Sequence, residues 1–506
     1  MPLLNKIDSL LNSVTMYRLV LYALSIQAGV AIVFGFLKIL PFSGFQFLLT
    51  LLILIGVCYL SNKIFAWIVK AVVNVESWLI TALILFLVLA PINDFQDLLI
   101  TIAIGTVAMA SKYFLTYDKR HIFNPAALAM FLAGLFGFGN SIWWIGSAVM
   151  LPFVLITGLL VVRKIRRFGM IIVFMVMSVI TICVFNYMNG MPLLQALTQV
   201  VISWPLVFFA TIMLTEPFTT PPNREFRNYY AVFTAALFGA QFSIGPLYAT
   251  PELALVAGNI VSFALSPKGK LILKFKEKIQ LAPTIYEFVF SHADKFNFTP
   301  GQYIEWTLPH DKSDSRGVRR YFTIASSPEE GDIKLGVKII PDKSSTFKKA
   351  LLALQPGTVL TADQLSGDFV LPKDPSKKYV FIAGGIGVTP FRSIIKNMVN
   401  MAVKKDIILF YSAADINEFV YKDIFKDAEN FGLKTVFVYG GKVPVKDWAG
   451  ESGFLTEDMV KKYAPDFEER TYYLSGPVGM VNNYKGLLSK MGVPQGSIVT
   501  DYFPGF

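Results

Sequence analysis

Residues 379–390 read Tyr-Val-Phe-Ile-Ala-Gly-Gly-Ile-Gly-Val-Thr-Pro. An apolar stretch of strand length runs into three glycines, and a Thr-Pro pair suited to opening a helix follows. Gly384, Gly385 and Gly387 let backbone N–H groups approach a phosphate at the positive helix end. The same turn also serves simple close packing of strand on helix. Its surroundings favour the phosphate: apolar strands at 379–383, 407–412, 434–439, 471–475 and 497–500 alternate with helical stretches. Five strands with crossovers predict a parallel, doubly wound sheet.

Upstream, from Pro267 to about residue 372, short alternating strands with turn punctuation, such as 286–290 and 302–308, predict barrel-like β structure. Within it, Arg320-Tyr321-Phe322-Thr323-Ile324-Ala325-Ser326 places a guanidinium, rings and hydroxyls on one strand. Alternation points Arg320, Phe322 and Ile324 one way and Tyr321, Thr323 and Ala325 the other. A flavin needs such a set: charge for its pyrophosphate, a ring beside the isoalloxazine and a hydroxyl near N5. An amphipathic strand with an exposed arginine would read the same way.

The 506 residues are 54% hydrophobic and 16% charged, against about 25% charged in a soluble protein. Residues 1–266 hold only 14 Lys+Arg and 8 Asp+Glu, so the deficit is local and two solvents are implied, a bilayer and then water. Three domains fit: 1–266 in the membrane, 267–373 a barrel, and 374–506 a nucleotide-binding α/β domain. Apolar runs near 18–40, 43–60, 77–92, 96–111, 124–139, 142–162, 168–188, 193–214, 229–247 and 251–266 predict a polytopic α-helical domain of about ten spans. With the N-terminus inside, 13 of the 14 cations lie on the cytoplasmic side and only Lys38 opposite. The net charge of +11 is then topology, and no nucleic-acid partner is expected.

Leu3, Leu4, Ile7, Leu10, Leu11 and Val14 at helical spacing predict an interfacial helix without a cleavage site. Pro125-Ala126-Ala127-Leu128-Ala129 and Pro251-Glu252-Leu253-Ala254-Leu255 open the fifth and tenth runs from opposite sides. Inverted five-helix repeats would produce this pattern, as would prolines that merely start helices. Cys58 and Cys183 lie in apolar runs and cannot supply the four thiolates of an iron–sulfur cluster. No metal site is expected, so a redox cofactor is organic or haem.

Arg120-His121-Ile122-Phe123-Asn124-Pro125 and Thr215-Glu216-Pro217-Phe218-Thr219-Thr220-Pro221 resemble a known family. It comprises the membrane components of the NqrB/RnfD type, found in sodium-pumping NADH:quinone oxidoreductase and in the Rnf complex. Across roughly residues 15–266 the resemblance implies ten helices, inverted repeats and a membrane-bound flavin, often FMN esterified to a threonine in an Asp-x-Ser-Gly-Ala-Thr loop. That loop is missing; Tyr248-Ala249-Thr250-Pro251 is the nearest fragment.

The order barrel, Arg-x-aromatic-Thr-x-x-Ser, Gly-Gly-Ile-Gly-Val-Thr-Pro, Ser475-Gly476-Pro477 and a terminal Phe503-Pro504-Gly505-Phe506 resembles the ferredoxin–NADP reductase (FNR) superfamily across residues 270–506. The resemblance implies that Arg320, Tyr321, Phe322, Thr323 and Ser326 hold FAD and that Ser344, Ser345 and Thr346 cradle its pyrophosphate. Gly384, Gly385, Gly387, Thr389, Ser412, Gly476 and Pro477 would bind the dinucleotide, and Phe503 or Phe506 would cover the isoalloxazine. Thr323, Ser475 and Phe506 take the catalytic roles. The family's usual cysteine before Gly-Pro is Ser475 here. In the turn after the second strand, Asp415 would repel a 2′-phosphate and no cation lies between Ser412 and Val420. NADH is therefore favoured, with Lys422 the residue that leaves NADPH open.

The expected function is transmembrane electron transfer in a bacterial or archaeal cytoplasmic membrane. Cytoplasmic NADH would reduce FAD, and electrons would pass singly to a membrane-embedded flavin and an outer-face acceptor. Quinone, an outer-face flavoprotein, free flavin and metal all fit as acceptor. A transporter whose reductase domain senses redox state is the alternative; Asp94, Asp97, Glu252 and Glu216 read as solvated edge acids that leave an ion path unsupported. A haem reductase would need paired histidines, and only His121 lies in the membrane half.

Overall fold

The chain divides into two units, Met1–Gly269 and Lys270–Phe506. This computed structural model describes residues 7, 10, 11 and 14–503, except 70–74, 118, 119, 140, 203, 267–270, 294, 295, 312, 315, 316, 341, 342, 373, 375, 442–444, 446 and 447. The expected interfacial helix lies largely outside them.

The first unit is helical: α1 Met16–Phe36, α2 Gly44–Ile68, α3 Val75–Val88, α4 Phe95–Phe114, α5 Pro125–Leu135, α6 Leu151–Ile165, α7 Phe168–Met188, α8 Leu193–Ile202, α9 Leu206–Phe208, α10 Arg224–Gly239 and α11 Pro251–Leu265. Side-chain caps start many of them, with Thr15, Ser43, Asp94, Asn124, Asn223 and Thr250 each accepting a first-turn N–H. Helices α1, α2, α4 and α7 are long and apolar enough to cross a membrane. On α7, Ile172, Val176, Ile180 and Val184 form a half-exposed stripe at four-residue spacing, the surface that lipid would cover.

The other six apolar runs give shorter helices, from 10 residues in α8 to 16 in α10, against the roughly 20 a bilayer requires. Hydropathy overstated their length because it counts turns as well as helix. The run at 142–162 begins in a 3₁₀ turn, Trp144–Gly146, and becomes α-helical only at Leu151. The run at 193–214 is broken before Leu206, beside Pro205, and α9 continues into a π turn, Phe209–Met213.

One expected edge acid is not solvated. Glu252 is 2% exposed: its Oε1 accepts from Trp143 Nε1 at 2.8 Å and from Ser141 Oγ, while Oε2 is buried without a hydrogen-bond partner. The segment after α5 folds over the start of α11 and removes this carboxylate from water. Glu216 is likewise engaged, accepting from Asn124 Nδ2 at 2.8 Å and lying 3.1 Å from His121 Nε2. Asn259 of α11 accepts from the Asn124 amide at 2.8 Å, so the two proline-initiated helices meet through a polar contact.

The second unit contains two sheets. The first comprises β1 Leu271–Ala282, β2 Ile285–Ser291, β3 Tyr303–Thr307, β4 Arg319–Thr323, β5 Ile333–Lys338 and β6 Val359–Ser366. It is antiparallel in the order β4-β3-β6-β1-β2-β5. No ladder joins β4 to β5 among the described residues; the Ala325 amide, just beyond β4, donates to Lys334 O at 2.8 Å across that gap. Phe275, Phe288, Phe290, Trp306, Ile324, Leu335 and Val337 fill the interior, closed by Phe347 and Leu351 of α12 Thr346–Leu352.

The second sheet comprises β7 Tyr379–Gly384, β8 Ile407–Ala413, β9 Leu433–Tyr439, β10 Glu451–Ser452, β11 Thr471–Pro477 and β12 Ile498–Phe503. All strands are parallel, in the order β10-β9-β8-β7-β11-β12, with the short β10 added to the five expected. Every residue of β7 is buried, as a central parallel strand requires. Helices α13 Thr389–Asn400, α14 Lys422–Ala428, α15 Glu457–Tyr463 and α16 Val478–Lys490 complete the unit.

An ion cluster joins the sheets. Arg392 of α13, 3% exposed, holds both carboxylate oxygens of Glu330, which also accepts from Lys334 Nζ at 2.9 Å and from the Ser327 amide at 2.7 Å. Burial alone would raise the Glu330 pKa, but Arg392, Ser327 and Lys334 outweigh it and hold the carboxyl down at about 2. A depressed carboxylate stabilises the fold above its unfolded pKa and loses that contribution as pH falls through the folded value. We therefore expect Glu330 to contribute about 3 kcal/mol at neutral pH that disappears between about pH 5 and 2. Urea unfolding followed by tryptophan fluorescence should show this acid limb, and Glu330→Gln should flatten it.

Candidate active site

The glycine turn forms where β7 must pass β11. A Cβ on Gly387 would lie 2.5 Å from Ser475 O and 2.6 Å from Gly476 Cα, so only glycine fits. Gly385 has φ +53 and open space around it, so its requirement is conformational. A 3₁₀ turn, Gly385–Val388, precedes α13, and the buried Thr389 donates from Oγ1 to Ile386 O at 3.1 Å. With β7 flanked by β8 and β11, this is where the strand order reverses, and parallel sheets bind ligands at the carboxyl ends of strands there. Ser475 sits at that end of β11, fully buried, and its Oγ has no hydrogen-bond partner. Gly476 and Pro477 follow it, and Ser412 occupies the matching end of β8.

On β4 the side chains alternate as its sequence requires. Arg320 lies 5.4 Å over the Phe347 ring, and Phe322 packs on the same ring at 5.7 Å. Tyr321 turns the other way, onto Tyr303 at 5.6 Å, and donates to Gln364 Oε1 at 2.8 Å. Thr323, paired with Tyr303, is buried, and its Oγ1 has no hydrogen-bond partner. The Arg320 guanidinium bonds Asp314 at 2.8 Å and Gly317 O at 3.0 Å.

Other predicted residues are already engaged within the fold. Ser326 is fully buried, and its Oγ accepts from the Lys334 amide at 3.1 Å, which makes it a brace for the segment after β4. Ser344 Oγ accepts from the Ile340 amide at 2.8 Å, Ser345 caps α12, and Thr346 Oγ1 accepts from the Asp314 amide at 3.0 Å. Phe503 ends β12 opposite Pro477, and Phe506 lies outside the described residues. The sequence reading missed Arg392, Glu330, Glu287 and Tyr421. The available signal was Arg392 itself, a lone cation amid Phe391, Ile394 and Ile395 directly after the glycine turn.

Residues 270–370 match the oxidoreductase FAD-binding domain family, and residues 381–486 match the oxidoreductase NAD-binding domain family. The Lys270–Phe506 unit is thus an FAD- and NAD-binding oxidoreductase module of the FNR-like kind. The reductase component of glycine betaine monooxygenase from Chromohalobacter salexigens is 29% identical over 203 residues, 39% of this chain and 54% of that protein. The F component of the Na(+)-translocating NADH-quinone reductase of Mannheimia succiniciproducens is 30% identical over 229 residues, 42% of this chain and 53% of that protein. The chain spans about half the length of these relatives. The FAD/NAD-binding domain of nitric oxide dioxygenase from Vibrio cholerae O1 biovar El Tor aligns at 18% identity and TM-score 0.41 over 46% of this chain and 98% of that one.

The residues fit both cofactors. A buried hydroxyl without a partner costs about 1–3 kcal/mol, and Thr323 and Ser475 each present one, beside an arginine strand and a glycine turn respectively. Gly387→Ala should cost about 1–3 kcal/mol of stability by overpacking and abolish nucleotide binding, whereas Gly385→Ala should cost about 1 kcal/mol of backbone strain. Thermal unfolding combined with titration calorimetry of NAD⁺ checks both.

Proposed function

We propose that this chain oxidises cytoplasmic NADH at its FAD- and NAD-binding unit and delivers the electrons through its helical unit to an acceptor at the outer membrane face. The observation that carries the reading is the pair of buried, partnerless hydroxyls on Thr323 and Ser475, together with four helices of membrane-spanning length in the same chain. When bound, FAD accepts a hydride equivalent from NADH with a solvent proton and can release electrons singly. Thr323 would donate to the flavin near N5, and Ser475 would orient the nicotinamide. Arg320 would exchange Asp314 for the pyrophosphate, beside Ser344, Ser345 and Thr346, with Phe322 against the flavin and Tyr321 on the strand's other face. Gly384, Gly385, Gly387 and Thr389 would seat the dinucleotide, with Ser412, Gly476 and Pro477 at its margins and Phe503 or Phe506 over the ring.

NADH is preferred to NADPH. Asp415, which would oppose a 2′-phosphate, lies in the turn after β8 with its Oδ1 accepting from Asn417 N at 2.9 Å, and Lys422 Nζ lies 5.9 Å over the rings of Phe419 and Phe437. The Asp-x-Ser-Gly-Ala-Thr loop of a covalent flavin ester is missing, and the Thr250 hydroxyl caps α11 by accepting from Leu253 N at 3.2 Å. A non-covalent membrane flavin remains the proposed carrier of a unit of the NqrB/RnfD type. Quinone, an outer-face flavoprotein, free flavin or metal would take the electrons. The cation distribution supports a reductase unit on the cytoplasmic side, and the membrane proposed is the cytoplasmic membrane of a bacterium or archaeon. The buried Glu252 favours a second reading, an ion or solute transporter with a redox-sensing reductase.

In sealed vesicles with the reductase outward, added NADH should reduce an impermeant acceptor trapped inside. Reduction confined to same-side acceptors would sink the transmembrane reading and advance the transporter. Thr323→Val should retain FAD yet slow its reduction in stopped flow by the equivalent of about 1–3 kcal/mol.

A further inference from the structure

The cluster at Arg392 lies outside the residues assigned to cofactors, yet it joins the segments that bear them. Arg392 Nη1 donates to Ala325 O at 2.9 Å, and the next side chain, Ser393, donates to Ser326 O at 2.6 Å. Two consecutive carbonyls just past the Thr323 strand are therefore held by two consecutive side chains just past the glycine turn. Farther along α13, Asn397 bonds Glu329 and Asn400 bonds Ser327, each at 2.9 Å, so one face of the helix is fastened along segment 325–330. Glu287 Oε2 stands 3.9 Å from Arg392 Nε, and the Tyr421 ring lies 5.5 Å from the guanidinium carbon. On the barrel side, a Cβ on Gly336 would meet Thr389 Cγ2 at 2.7 Å, so the two sheets abut at the residue that opens α13.

We infer that Arg392 and Ser393 are positioning residues that set the separation and angle between the Thr323 strand and the Gly384–Gly387 turn, and through them between flavin and nicotinamide. This rests on the function proposed above. Apolar groups could fill the same seam at equal or better stability, but they would lack the fixed directions of a planar guanidinium held by a carboxylate and a carbonyl. Hydride transfer requires reacting atoms about 3–3.5 Å apart, and a displacement of about 1 Å costs on the order of 100-fold in rate.

The test uses the full chain in detergent, loaded with FAD. Four variants are compared: Arg392→Met, Ser393→Ala, the triple change Arg392→Met with Glu330→Leu and Glu287→Met, and Arg470→Met. Arg470, itself buried, anchors a separate ion cluster with Asp406 and Asp466 and serves as the control for general destabilisation. Each is measured for FAD content, NAD⁺ affinity by calorimetry, urea midpoint, kcat and KM for NADH, and the isotope effect with C4-deuterated NADH.

Arg392→Met and the triple variant should both lose about 100-fold in kcat with an enlarged isotope effect, while FAD content, NAD⁺ affinity and KM stay within about twofold. Ser393→Ala should lose about fivefold, and the triple variant should recover the urea midpoint. Arg470→Met should lower the midpoint and leave kcat per bound FAD unchanged. A normal kcat in the stable triple variant, or equal slowing in Arg470→Met, overturns the inference alone. If Arg392→Met does not fold, the triple variant and Ser393→Ala decide it. Failure of NADH to reduce the unmodified chain overturns the proposed function and this inference with it.

Discussion

The Lys270–Phe506 unit depends on one close approach. Where the central strand ends, the backbone of Gly387 lies against Ser475 and Gly476 so tightly that a methyl group would collide with a carbonyl oxygen. That contact lets the helix from one strand start beside the end of the next. It also fixes where the sheet reverses its strand order, at the carboxyl ends of its strands. The remaining features are arranged around it: a buried serine hydroxyl on the neighbouring strand, and a helix whose first turns reach the antiparallel sheet.

The helical unit answers to a different constraint. Polar groups buried among apolar helices have no water to bond, so they must find one another. Asn124, Glu216 and Asn259 do so across three separate stretches of chain, and Glu252 does so halfway, with one oxygen held by Trp143 and Ser141 and the other bare. A buried carboxylate that is only half satisfied is costly to keep.

Local features were legible in the sequence. The glycine turn and the strand leading into it fall where their residues indicate, and the alternation along Arg320–Thr323 correctly separates Arg320 and Phe322 from Tyr321 and Thr323, because both depend on neighbours only a few residues away. Helix length in the apolar half was less legible: hydropathy registers Trp144 and Pro205 as apolar whether or not they are helical. The Arg392 contacts to Ala325 and Glu330 join positions more than sixty residues apart, and no periodicity in a single sequence reports them. Glu252 was misread for the same reason, since its cover comes from residues 141 and 143.

The π turn at Phe209–Met213 bears on how this chain can change over time. A π turn is an α-helix carrying one extra residue, and each helical residue rotates the next stretch of chain by about 100°. The wide turn takes up that extra residue, so deleting one there would restore regular helix and leave the segment beyond it in register. Glu216, three residues past the turn, would keep Asn124 and His121, whereas the same deletion in regular helix would turn it away from them. The turn therefore lets this stretch lose one codon while a carboxylate keeps its place in a polar cluster.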